Sequence, residues 1–92
     1  MISAEVIKGV QQVLGEHGVQ QHVDERFGDF VARGLGVSAR QAEVFLEVLH
    51  DGGAVDDALL AAEVDPGTVS SELLSKVARA IGVALGRIAS AQ

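Results

Sequence analysis

The run from Phe45 to Val69, FLEVLHDGGAVDDALLAAEVDPGTV, limits what this chain can fold into, because two helix boundaries stand close together within it. Phe45, Leu46 and Leu49 share one helical face, and a glycine of the Gly52-Gly53 pair just after them can take the left-handed conformation that ends a helix. Downstream, Asp65 can accept a bond from an unpaired N–H of the next helix, and Pro66 suits a first helical position, where no donor is needed. The spacing predicts a short helix over about Val55 to Ala62, too short to persist unless it docks, and a helix that opens at Pro66.

The flanking sequence carries further apolar stripes. Ser3 can cap a helix on which Val6, Ile7, Val10, Val13 and Leu14 recur at steps of three and four, with Gly15 and Gly18 closing it. A second stripe, Val19, Val23, Phe27, Phe30 and Val31, predicts another helix ended by Gly34-Leu35-Gly36; Gly28 inside it would cost about 1 kcal/mol relative to alanine. Ser38-Ala39-Arg40-Gln41 fits a reciprocal cap, in which serine oxygen and glutamine side chain each satisfy an N–H, so a third helix starts at Ala39. From Pro66 towards Ala89, Val69, Leu73, Leu74, Val77, Ile81, Leu85 and Ile88 form the stripe of the longest helix. The chain reads as all-α, one domain over 1–92, a compact bundle of about five helices.

Composition narrows the function. With 92 residues the chain can bury one core, built from Val, Leu, Ile and Ala with Phe27, Phe30 and Phe45 as its aromatics, so close helix approach must replace bulk. Absence of cysteine removes disulfide, thiolate and zinc-thiolate chemistry. The net charge is −6, and all thirteen acids lie at or before Glu72, leaving Lys76, Arg79 and Arg87 to a basic tail. An acidic body repels phosphate, which argues against general nucleic-acid binding. No apolar run approaches the roughly 18 residues of a membrane span, and the N-terminus lacks the pattern of a secretory signal, so a cytoplasmic chain is expected.

The central run resembles the helix-turn-helix of phage small-terminase and homeodomain-like bacterial DNA-binding domains, with Ala58, Ala62, Val64, Thr68 and Val69 at the matching positions. A LuxR-type output domain is similar over about 37–83, through Val37-Ser38-Ala39-Arg40-Gln41-Ala42-Glu43-Val44, Gly67-Thr68-Val69 and Ile81-Gly82-Val83. The resemblance implies a helix-turn-helix-like centre and DNA contacts from the last helix, by Ser70, Ser71, Lys76 and Arg79. Three residues depart from the pattern: Glu63 stands where the turn has glycine, Leu59 where a small residue is usual, and Glu72 where an apolar one is buried. Base-edge contacts favour Arg, Lys, Asn and Gln. The probing positions hold Asp65, Gly67, Ser70 and Ser71 instead.

Two interaction surfaces are therefore expected. Asp56, Asp57, Glu63, Asp65 and Glu72 form an acidic surface for a protein partner, and the resemblance to a DNA-binding regulator is the alternative. Ala78, Gly82 and Gly86, every fourth residue, make a groove of small side chains with Leu85 and Ile88 beside it, a helix-packing or homodimer seam. His17 and His22 are five apart across a glycine and lack metal-ligand spacing, while His50 suits the negative end of its helix. No catalytic set, cofactor loop or metal cluster emerges, so the expectation is a non-catalytic, self-associating protein-interaction module without a cofactor.

Overall fold

Three serines set three of the helix starts. The structure, a computed structural model, describes residues 2–88, and among them it forms five α-helices, one 3-10 turn and no strand. These are α1 (Ala4–Glu16), α2 (Phe27–Leu35), α3 (Ala39–His50), α4 (Val55–Ala62) and α5 (Ser71–Ala84), with the 3-10 turn Pro66–Thr68 before α5. The Oγ atoms of Ser3, Ser38 and Ser70 accept from the backbone N–H of Val6, Gln41 and Leu73. At α3 the cap is reciprocal, since the Ser38 N–H donates to Gln41 Oε1 at 2.9 Å. Each such cap contributes about 1 kcal/mol.

The bounds of α3 and α4 match the expectation from sequence, and Gly52 has the left-handed φ of 99° foreseen after α3. Two other helices differ. The second was expected from Val19, but residues 17–26 form a connection and α2 starts at Phe27. Polar side chains hold that connection instead: Gln11 Nε2 donates to Gln21 Oε1, Gln21 Nε2 to the Glu25 carbonyl, and Arg33 Nε to Glu25 Oε2. Val19 still packs on the core, whereas Val23 points wholly into solvent. Gly28 therefore sits in the first turn of α2, where the interior penalty does not apply.

The fifth helix was expected from Pro66 and begins at Ser71. Asp65 does cap at this point, its Oδ1 accepting from Gly67 N–H at 2.9 Å, but what it caps is a single 3-10 turn closed by Thr68 N–H and Oγ1 onto the Asp65 carbonyl. Val69 is then extended, with its side chain buried, and Ser70 restarts the helix. Burying Val69 and forming the Ser70 cap win over the proline signal. α5 ends at Ala84, so it is about 21 Å long rather than over 30 Å. The expected end at Ala89 lies outside the described residues.

The most extensive packing joins α3 to α4 and α1 to α5, with α2 lying on α3. Val6, Val10 and Leu14 of α1, Phe30 and Val31 of α2, Phe45 and Leu46 of α3, and Val77 and Ile81 of α5 meet in one hydrophobic cluster. Among the described residues no polar or charged side chain is buried. α1 and α5 run antiparallel: Gly9 meets Ala80 midway, and Ile2 at the start of α1 shares a cavity with His50, whose carbonyl accepts from Arg87 just beyond α5. No helix of the described residues is long and apolar enough to cross a membrane.

Candidate functional site

The acids and DNA contacts singled out from sequence lie at the surface or in local caps and turns. Asp56, Asp57, Glu63, Asp65 and Glu72 are all exposed. Asp56 and Asp57 occupy the first turn of α4, where the helix dipole favours acids. Glu63 caps the other end with a left-handed φ of 57° and lines a shallow cavity with Arg40 and Gln41. Asp65 is engaged in the 3-10 turn, and Glu72 Oε1 lies 3.2 Å from Lys76 Nζ. Of the alternative DNA contacts, Ser70 is used as a cap, Lys76 is paired with Glu72, and Ser71 and Arg79 are exposed. Arg33 and Arg87 are also engaged, Arg33 with Glu25 and Arg87 with the carbonyls of Leu49 and His50.

The expected seam of small residues is not an open stripe. A Cβ on Gly82 would stand 2.6 Å from Ile88 Cδ1, because the chain turns back after α5 and lays Ile88 over Gly82. The turn is fixed by the Arg87 and Ile88 N–H groups donating to the Gly82 carbonyl. Gly86, at a φ of 76°, is past the helix end, Leu85 caps the helix, and Ala78 packs on the core. Ile88 thus covers Gly82 itself, while Ala78, Gly82 and Ile88 together line a cavity of about 480 Å³ with Leu49, Val55 and Arg79.

Two further grooves carry charged residues along an apolar surface. The first lies beside α3 and has a volume of about 600 Å³. Ile2 and Ile7 from α1 and its lead-in, Phe27 from α2 and Leu46 from α3 supply its apolar surface. Phe27 is held by the buried Phe30, with ring centroids 6.3 Å apart, and Gly28 lets α2 rest against the Glu43 stem. Glu43, Glu47 and Asp51 stand along one edge at four-residue steps. Among the described residues neither glutamate has a cationic nitrogen within ion-pair range, and Asp51 has only His50 Nδ1, 3.8 Å away. Like charges four apart on a helix cost a few tenths of a kcal/mol, roughly.

The second groove, of about 470 Å³, runs between α1 and α5. Gly9, Val13, Ala80, Val83 and Ala84 form its floor, all of them half-buried. Its α1 edge carries Glu5, Gln12 and Glu16, and its α5 edge Lys76 and Arg79. Because the helices are antiparallel and cross at Gly9 and Ala80, Lys76 is level with Val13, between Gln12 and Glu16.

The row Glu43, Glu47 and Asp51 was readable as an acidic face of the third helix. What the sequence hid was its neighbour: Phe27 joins it only because α2 starts late and lies on α3. Among the described residues no group of three or more His, Asp or Glu could hold a metal ion. The Glu25 carboxyl is held down at about 2, first by the Arg33 guanidinium and then by the His22 N–H; it steadies the connection into α2 and lines neither groove.

The described residues thus form an all-α helical bundle with open grooves between its helices. Comparison with protein-family models, with curated proteins and with solved structures gives no match.

Proposed function

We propose that this chain is a non-catalytic protein-binding module whose groove beside α3 takes a basic segment of a partner protein, anchored by an apolar side chain. The observation that carries this reading is the pairing of an apolar surface from Ile2, Ile7, Phe27 and Leu46 with the acidic edge Glu43, Glu47 and Asp51, to which no Lys or Arg among the described residues is ion-paired. An apolar anchor supplies burial, and Lys or Arg residues flanking it meet the three carboxylates, which favours the encounter and excludes acidic competitors. Nucleic acid is disfavoured by the same edge, since phosphate would meet carboxylate. The acidic surface expected from sequence on Asp56, Asp57, Glu63, Asp65 and Glu72 is exposed as well, and the edge on α3 is preferred here because an apolar surface lies beside it.

The test is fluorescence anisotropy with a labelled amphipathic peptide bearing a Leu and Phe face flanked by Lys and Arg, beside an acidic peptide of the same apolar pattern and a labelled DNA duplex. Binding of the basic peptide alone, weakening as salt rises, is the expected result. Equal binding of both peptides, or retention of the duplex in preference to either, would overturn the reading.

A further inference from the structure

We infer that the groove between α1 and α5 is a self-association surface, on which a second copy of this chain docks about a two-fold axis parallel to the groove. The floor is apolar and its edges are split by sign, with Glu5 and Glu16 on α1 and Lys76 and Arg79 on α5. A two-fold along the groove lays α1 of each copy over α5 of the other, and an isologous contact repeats every pairing twice. Lys76 of one copy then stands over the stretch between Gln12 and Glu16 of its partner, and Val13 and Val83 close on the facing floor. A foreign segment would need both signs laid out in mirrored order; this chain carries that order already.

Charge balance favours this face over the groove beside α3. The chain carries −6, so copies repel one another at most approaches. Here two carboxylates and two cations cancel. The groove beside α3, by contrast, sets three carboxylates against no Lys or Arg, so two copies meeting there would face like charge. The Glu72 carboxylate beside Lys76 does not remove the cation, because an exposed pair four residues apart contributes only about 0.3–0.5 kcal/mol and can exchange partners.

Sedimentation equilibrium of the full chain over a concentration range from about 10 µM to 1 mM tests this, a range that spans the Kd values of weak association. The expected result is a weight-average mass rising from 9.5 kDa towards twice that value, with the rise reduced by salt. Lys76→Glu and, separately, Glu16→Lys should each weaken the dimer at least about fivefold, and the double variant with both charges exchanged should recover most of the loss. Arg79→Glu is read in parallel, so that a loss of helicity in one variant leaves the other to decide. A mass that stays monomeric up to the highest concentration would overturn the inference, as would a dimer that none of these charge changes weakens.

Discussion

The groove beside α3 and the groove between α1 and α5 share an apolar floor with a glycine at a helix contact, Gly28 in one and Gly9 in the other, yet their edges differ. Around the first, the acids stand on one helix and no Lys or Arg answers them; around the second, acid and base face each other across the floor. The first can be completed only from outside the chain, by something positive. The second can be completed by the chain itself. The partners proposed for the two grooves differ because their charge is placed differently.

The largest expected effect breaks the second groove by steric means. A Cβ on Gly9 would lie 3.4 Å from Ala80 Cβ and 3.5 Å from its carbonyl oxygen, so a bulky side chain there meets backbone. Gly9→Leu should force α1 from α5 and cost about 2 kcal/mol in urea unfolding. At Gly28 the nearest atom is Glu43 Cγ, at 3.2 Å, part of a side chain that can swing away. Gly28→Leu should therefore cost less than about 1 kcal/mol, and equal costs for the two would erase this distinction.

Charge reversal comes next. The double variant Glu43→Lys, Glu47→Lys should weaken the basic peptide at least about tenfold, or 1.4 kcal/mol, while leaving the dimer constant within about twofold. Lys76→Glu should do the opposite. If either variant moves both readouts, the two grooves are not independent.

Acid should separate the regions more gently. Glu25 is held at about 2 against an ordinary 4.5, so its ionised form adds stability that is fully present above about 4.5 and is lost as pH falls towards about 2. The stabilisation belongs to the connection that delivers Phe27 to the first groove, since Glu25 also accepts from the His22 N–H and binds Arg33 of α2. Glu25→Gln should flatten the stability profile between those pH values. Amide signals of residues 20–25 should respond before those of α5; the reverse order would place the acid-sensitive contact elsewhere.

How much of this could be read from sequence follows from how local each signal was. The Ser38 and Gln41 cap, the Gly52 stop and the α4 bounds depend on neighbours within a few residues, and they stand as expected. Val19 and Val23 lie on the right spacing for a helix, but Gln21 and Glu25 find better partners in Gln11 and Arg33, contacts that no window along the chain contains. Pro66 marks a real start, though of a turn, because burial of Val69 decides where α5 resumes. The seam at Gly82 looked open because small residues every fourth position say nothing about a chain that doubles back to cover one of them. One groove lies between α1 and α5, far apart in sequence, and the other joins α1 to the consecutive α2 and α3, so their charges were visible and their company was not.

The smallest predicted effect tests the floors themselves. Alanine at Gly9 adds one methyl in mid-helix, where glycine is about 1 kcal/mol worse than alanine, and the new atom sits at the near edge of ordinary contact with Ala80. Gly9→Ala should therefore stabilise the chain by about 0.5–1 kcal/mol. Gly28→Ala gains less, being in the first turn of α2, and must move Glu43 Cγ outward by a few tenths of an ångström, so its net effect should stay within about 0.5 kcal/mol of zero. Measured by denaturation at low micromolar concentration, where association does not contribute, the order Gly9→Ala above Gly28→Ala is the sharp outcome. A loss on Gly9→Ala would mean that α1 and α5 touch too closely to admit a methyl, and a contact that tight would leave no room between them for Val13 and Val83 of a second copy to settle on the floor.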